Sequence, residues 1–221
     1  MTCCRSGSCI RVVSGLGTDC SIIGGVDAVN RESAELPGEL LFRFKGGDLA
    51  LNFVATLGER WRANIERLRT PIDLDRWCAE AGFSRPSRPA DGSDLARARD
   101  LREAIHRAVR STMDGSRLKV TDRKLINEWA ERADVAPQLT ASGTVGRASP
   151  SSVSGVLASV ARAAVMLLGG ADTARIRECG ADNCSTLFVD TSRAAARQWC
   201  SKRCADRVNA YRYRRRHQHA K

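Results

Sequence analysis

The clearest chemistry in this 221-residue chain lies in four cysteines near its C-terminus, Cys179, Cys184, Cys200 and Cys204. They come as two pairs. Gly180–Asn183 separates the first, Ser201–Arg203 the second, and fifteen residues lie between the pairs. Zinc takes four soft ligands at about 2.3 Å from each sulfur, and two short loops can supply two thiolates each. Four thiolates leave no open coordination position, so the spacing predicts one structural Zn2+ and not a catalytic one. The alternative, four unrelated buried thiols, does not account for the pairing. The total of nine cysteines is odd, and the first 30 residues lack the apolar run of an export signal. A disulfide framework is therefore not expected, and the cytoplasm is the expected compartment.

The flanking residues predict how the ligands are held. Leu187-Phe188-Val189 reads as a short strand, Asp190-Thr191-Ser192 as a turn and Arg197-Gln198-Trp199 as a return strand. From Cys200 to about Arg216 there is no Gly or Pro, which predicts a helix with Cys200 and Cys204 in its first turn, where its dipole stabilises thiolates. Knuckle, hairpin and helix together sketch a treble-clef-like finger. On the helix, Cys204, Val208 and Tyr211 are expected to form the packed stripe, and Arg203, Arg207, Ala210 and Arg214 another. Arg193, Arg197, Arg203, Arg207, Arg212, Arg214, Arg215 and Arg216 are the candidate nucleic-acid contacts. Guanidinium groups donate bidentate bonds to guanine or clamp phosphates.

Charge placement supports that reading. Residues 175–221 hold twelve Arg+Lys and four Asp+Glu, a net of +8, which leaves +3 of the total +11 for the preceding 174 residues. Such end-loading points to a polyanion, most simply double-stranded DNA. The bland alternatives are a solvated face or a solubilising tail. No run approaches 18 apolar residues, so a membrane span is not expected.

Upstream, the pattern is mainly α. Helices are expected over Asp48–Arg60, Asp73–Ala81, Asp94–Met113, Arg123–Arg132 with Thr121 as cap, and Ser152–Leu168. Leu41–Phe44 and Gln138–Arg147 read as the few short strands. Residues 1–36 read as a disordered extension, 37–170 as a helical domain, 171–216 as the finger and 217–221 as a basic tail. Cys3, Cys4, Cys9 and Cys20 match no familiar metal spacing. Cys78, beside Trp77, reads as a core thiol, with a redox sensor as the sharper alternative. His106 lies on a helix without a nucleophile or carboxylate pair to serve. Gly46-Gly47 lacks the Lys-Ser/Thr of a phosphate loop. No enzyme activity is expected.

The runs Arg175-Ile-Arg-Glu-Cys179, Cys184-Ser-Thr-Leu-Phe-Val-Asp-Thr-Ser-Arg193, Arg197-Gln-Trp-Cys200-Ser and Cys204-Ala-Asp-Arg207 resemble the CGNR zinc finger. Upstream, Gly47-Asp-Leu-Ala-Leu-Asn-Phe-Val-Ala-Thr56, Leu68-Arg-Thr-Pro-Ile-Asp-Leu-Asp-Arg-Trp77 and Leu101-Arg-Glu-Ala-Ile105 resemble the ABATE domain that precedes this finger in stress-induced bacterial transcription regulators. The resemblance spans about residues 38–216. It implies that Cys179, Cys184, Cys200 and Cys204 hold the zinc and that Arg207 is the signature arginine. Ala205-Asp206 replaces the signature Gly-Asn, and Asp206 sets a carboxylate beside the presumed nucleic-acid face. The function implied is a DNA-binding regulator whose helical domain answers a small-molecule effector or pairs two copies as a homodimer. The alternative is a zinc-stabilised module for protein or RNA.

Overall fold

The computed structural model describes residues 36–133, 135–147 and 151–218. Most of the extension expected over 1–36, with its four cysteines, lies outside the described residues. The described chain is mainly α, with three two-stranded antiparallel hairpins.

Helix α1 (Leu49–Val54) starts where Asp48 accepts a hydrogen bond from the Ala50 amide at 2.7 Å. It stops far short of the expected Arg60. The Thr56 hydroxyl donates to the Phe53 carbonyl (2.7 Å), and the buried Arg67 guanidinium donates to the Ala55 carbonyl (3.1 Å), so two freed helix carbonyls are satisfied without another turn. The chain enters a hairpin, β1 (Leu57–Gly58) with β2 (Ile65–Glu66). Glu59 and Asn64 take left-handed backbone in its turn, with φ of 47° and 49°. Gly58 leaves the space that Arg67 fills, since a Cβ there would lie 2.4 Å from the guanidinium.

Capping sets the next two helices. In α2 (Pro71–Glu80), Thr70 and Asp73 form a reciprocal capping box with Pro at the first position. In α3 (Gly92–Met113), Asp91 and Asp94 do the same. Both helices therefore begin two residues before the expected starts. Helix α4 (Val120–Ala130) has no side-chain cap, and Thr121 lies inside it instead of capping it. Its position is fixed by packing: Asp122 binds Arg107 of α3 at 2.6 Å, while Ile126 and Trp129 are buried. Helix α5 (Val153–Gly169), capped by Ser152, is the central rod, with Val156, Ala158, Val160 and Ala164 fully buried.

Pro137–Leu139 (β3) pairs with Val145–Arg147 (β4), the hairpin within the expected extended segment. Leu41–Phe44 forms no strand. Phe42 lies buried beneath the Arg76 guanidinium, 4.0 Å from its ring centre, and the segment packs through that side chain.

After a 3-10 turn (Ala171–Arg175), β5 (Ile176–Glu178) pairs with β6 (Leu187–Val189), and α6 (Lys202–Gln218) follows. The partner of Leu187–Val189 is thus the strand before the first cysteine pair, and the expected Arg197–Trp199 strand does not form. The buried Asp190 carboxylate gathers the Ser192 and Arg197 amides at 2.9 and 2.8 Å, which folds that segment into a loop.

One hydrophobic core runs through both ends of the described chain. Ile176, Leu187 and Val189 pack in the same cluster as Phe53, Trp77, Leu101 and Leu157. The alternation of a strand sends the neighbour Phe188 to the opposite face, into a second, smaller cluster around the cysteines. Val189 also donates its amide to the Gly46 carbonyl at 2.8 Å, and Glu178 pairs with Arg110 of α3 at 2.5 Å.

Candidate metal centre and basic groove

The loop between β5 and β6 carries Cys179 and Cys184. The Cys179 amide donates to the Thr186 carbonyl at 3.0 Å, continuing the ladder, and the Cys184 amide donates to the Ala181 carbonyl at 2.9 Å, closing the knuckle. Cys204 lies in the first turn of α6, as expected. Cys200 lies two residues before the helix, and its amide donates to the Cys179 sulfur at 3.4 Å. All four side chains are buried, with their sulfurs within 4.8 Å of one another.

The donor set meets the demands of zinc. Arms of about 2.3 Å make a tetrahedron with edges of about 3.8 Å. The Cys184–Cys200 and Cys200–Cys204 sulfur separations are both 3.7 Å. Protonation points the same way. The Cys179 and then the Cys200 thiol hold Cys184 well below the ordinary thiol range. Cys179 is pushed up to about 11, mainly by Cys184, and Cys200 is pushed up by Cys179 and then Cys184. Four sulfurs this close cannot all be thiolates unless a cation lies among them. The cluster can bind one zinc ion, and with four protein ligands that zinc is structural.

Around the sulfurs, Arg207 points a guanidinium nitrogen at Cys204 Sγ at 3.6 Å. Arg197 donates to the carbonyls of Trp199 and Cys200 and sits 5.1 Å over the Phe188 ring. Arg175 donates to the Asp190 and Ser192 carbonyls at 3.0 and 3.2 Å. These arginines hold the loop as well as lending positive charge.

Only Cys204 and Val208 of the expected packed stripe reach the cysteine cluster; Tyr211 is 49% exposed, because by then α6 has run past the knuckle. An open groove of about 740 Å³ lies between the helix and the knuckle. Of the eight candidate arginines, Arg207, Arg212, Arg214, Arg215 and Arg216 line it, whereas Arg193, Arg197 and Arg203 are exposed outside its lining. Arg62, from the β1–β2 turn, lines it as well. Sequence reading missed that residue, since nothing local marks an arginine 145 positions before Arg207 as its neighbour.

Ion pairing is dense in the helical domain and missing on α6, although Arg43, Arg67, Arg117 and Arg123 of the helical domain also lack a carboxylate partner among the described residues. Arg60, Arg69, Arg76, Arg88, Arg97, Arg99, Arg102, Arg107 and Arg110 each meet a carboxylate. Among the described residues, no arginine from Arg193 onward does. Cys78, at the core, is fully buried and its thiol is pushed up to about 12 by burial and then by Asp75, which keeps it protonated. No described helix is long and apolar enough to cross a membrane.

A family model described as "Putative stress-induced transcription regulator", the ABATE domain, matches residues 47–171, and the CGNR zinc finger model matches residues 175–217. Neither description is that of an enzyme. A search of curated proteins finds no match.

Proposed function

We propose that this chain, which belongs to the ABATE family and ends in a CGNR zinc finger, is a transcription regulator that binds double-stranded DNA through the arginines of α6. The observation that carries the reading is the run Arg207, Arg212, Arg214, Arg215 and Arg216, gathered on one groove without a carboxylate partner among the described residues. Unpaired guanidinium groups crowd at a cost that a polyanion removes. Zinc holds the knuckle and the start of α6, and so fixes the direction in which these groups point. In this reading the helical domain receives the signal, a small-molecule effector or stress cue, and joins two copies. Single modules bind DNA weakly, so a homodimer on paired half-sites supplies the missing affinity.

The test is fluorescence anisotropy of the zinc-loaded chain on duplex DNA from upstream of its own gene and on a shuffled duplex, across a salt series. Sequence-specific binding with a steep salt slope is expected. Arg212→Ala with Arg215→Ala should lower that slope by about two, at roughly 0.9 per lost phosphate contact, with zinc retained. Undiminished binding by this variant refutes the reading. A monomeric sedimentation profile both on and off DNA removes the homodimer.

One observation favours a second reading. Tyr211 and Tyr213 are 49% and 65% exposed among the arginines, a composition suited to stacking unpaired bases. Preference for single-stranded RNA over duplex DNA in the same titration identifies an RNA module instead.

A further inference from the structure

The basic groove has walls from two parts of the chain. The finger supplies α6 and the knuckle residues Gly180, Asp182 and Asn183, and the helical domain supplies Arg62. That arginine sits on a braced turn. The Arg62 and Asn64 amides both donate to the Glu59 carbonyl at 2.9 Å. Next to it, the Arg60 amide donates to the Ser185 hydroxyl of the finger at 3.3 Å, and the Arg60 guanidinium grips Glu103 of α3 at 2.6 Å. The turn is thus tied to the helical domain on one side and to the finger on the other. Arg62 itself is exposed, and its side chain has neither an ion pair nor a hydrogen bond with the described residues. Six arginines line the groove against one carboxylate, Asp182. A cationic concavity of this kind focuses potential and collects anions.

We infer that Arg62 is a further nucleic-acid contact, and that the sugar–phosphate backbone of one DNA strand lies in this groove between the β1–β2 turn and α6. The inference rests on the DNA reading above and deepens it, because the helical domain then touches the DNA directly. Charge complementarity selects the occupant: the groove presents guanidinium groups, which match phosphates that recur along a strand. Its position selects the strand. The remaining exposed arginine of the stripe, Arg203, lies on α6 outside the groove lining, free to face the rest of the duplex. Trp61, 55% exposed beside Arg62, lines the adjoining depression with Cys179 and Asp182 and supplies an optical reporter, with Trp77 and Trp129 buried and Trp199 half-buried against the cysteine cluster.

The experiment uses the full zinc-loaded chain and a fluorescein-labelled duplex from upstream of its own gene. Arg62→Ala should weaken binding roughly threefold to tenfold at physiological salt and lower the salt slope by about 0.9, one phosphate contact. Arg62→Glu should weaken it further. Arg123→Ala, which removes an exposed arginine of α4 outside the groove, should change nothing. Duplex binding should also alter the tryptophan emission, a change that Trp61→Phe should largely remove and Trp199→Phe should leave. If both Arg62 variants bind as Arg123→Ala does while Arg212→Ala is impaired, the inference falls and the DNA reading stands. If the wild-type chain binds no duplex, both fall. If single-stranded RNA binds with the same Arg62 dependence and duplex DNA does not, the assigned occupant is wrong.

Discussion

Leu187→Ala tests whether finger and helical domain are one cooperative body. Leu187 is three residues from the ligand Cys184, yet its side chain is 1% exposed in the core of the helical domain. Truncating a buried leucine costs about 2–5 kcal/mol, because the lost contacts leave a cavity. With a urea slope of about 1–3 kcal/mol per molar, the unfolding midpoint should fall by roughly 1–2 M. The assay follows far-ultraviolet circular dichroism and zinc release to a chromogenic chelator in the same titration. Both curves should move to lower urea together, since coincident probes mark a single transition. Phe188→Ala is the matched control. Its ring is buried on the opposite face of β6, in the cysteine cluster, so this substitution should release zinc early and weaken the helical transition less. If Leu187→Ala shifts zinc release alone and leaves the helical midpoint in place, the shared core is wrong.

Three other outcomes follow from local geometry. Arg207→Ala should weaken zinc retention by about tenfold in chelator competition, because its guanidinium reaches Cys204 Sγ, whereas Arg212→Ala should leave zinc unaffected. Gly46→Ala should cost about 1–3 kcal/mol in denaturant titration, since a Cβ there would lie 2.6 Å from that of Leu51, and Gly46 also receives Val189 of the finger. His106 is held down to about 4, first by burial and then by Arg60. The unfolded chain takes up this proton below about 6.5 and the folded chain only near 4. Stability is therefore lost as pH falls through that window. His106→Gln should lose about 1–2 kcal/mol less than wild type between pH 7 and pH 5, read as the difference in their melting shifts; equal shifts would contradict the assignment.

The zinc cluster was legible because its information is local. Two cysteine pairs on short loops need no knowledge of the rest of the chain, and Ser152, with the apolar run after it, marked α5 just as directly. Elements set by distant partners were not legible. Helix α1 stops at Val54 because Arg67, twelve residues past Ala55, takes the carbonyl that another turn would have used. Strand β6 pairs with Ile176–Glu178 and not Arg197–Trp199 because Asp190 draws the following segment into a loop. Helix α4 lacks the cap that Thr121 suggested because its ion pair to Arg107 overrides the local signal. Arg62 was invisible for the same reason: its neighbours in the groove arrive only with the fold.

Basic composition alone would not distinguish a DNA-binding segment from an arginine-rich protein, since arginine is abundant throughout this chain. Clustering without partners is the feature the proposed reading rests on. In the helical domain, nine arginines are neutralised by carboxylates, as in Asp73 with Arg76 and Glu66 with Arg102, while others such as Arg123 are not. On α6 the same residue type is left without such partners, and the finger that carries it is anchored through Ile176, Leu187 and Val189. A rigid mounting of this kind has a functional consequence. On the proposed DNA reading, a finger that shares its core and a groove wall with the helical domain would not bind DNA independently of it. On the same reading, a ligand that moved the β1–β2 turn would change the spacing between Arg62 and α6, and DNA binding would favour the matching state by the same free energy. If the proposed regulator reading holds, this mount is where an effector's contacts would have to act, with no separate linker between the two parts.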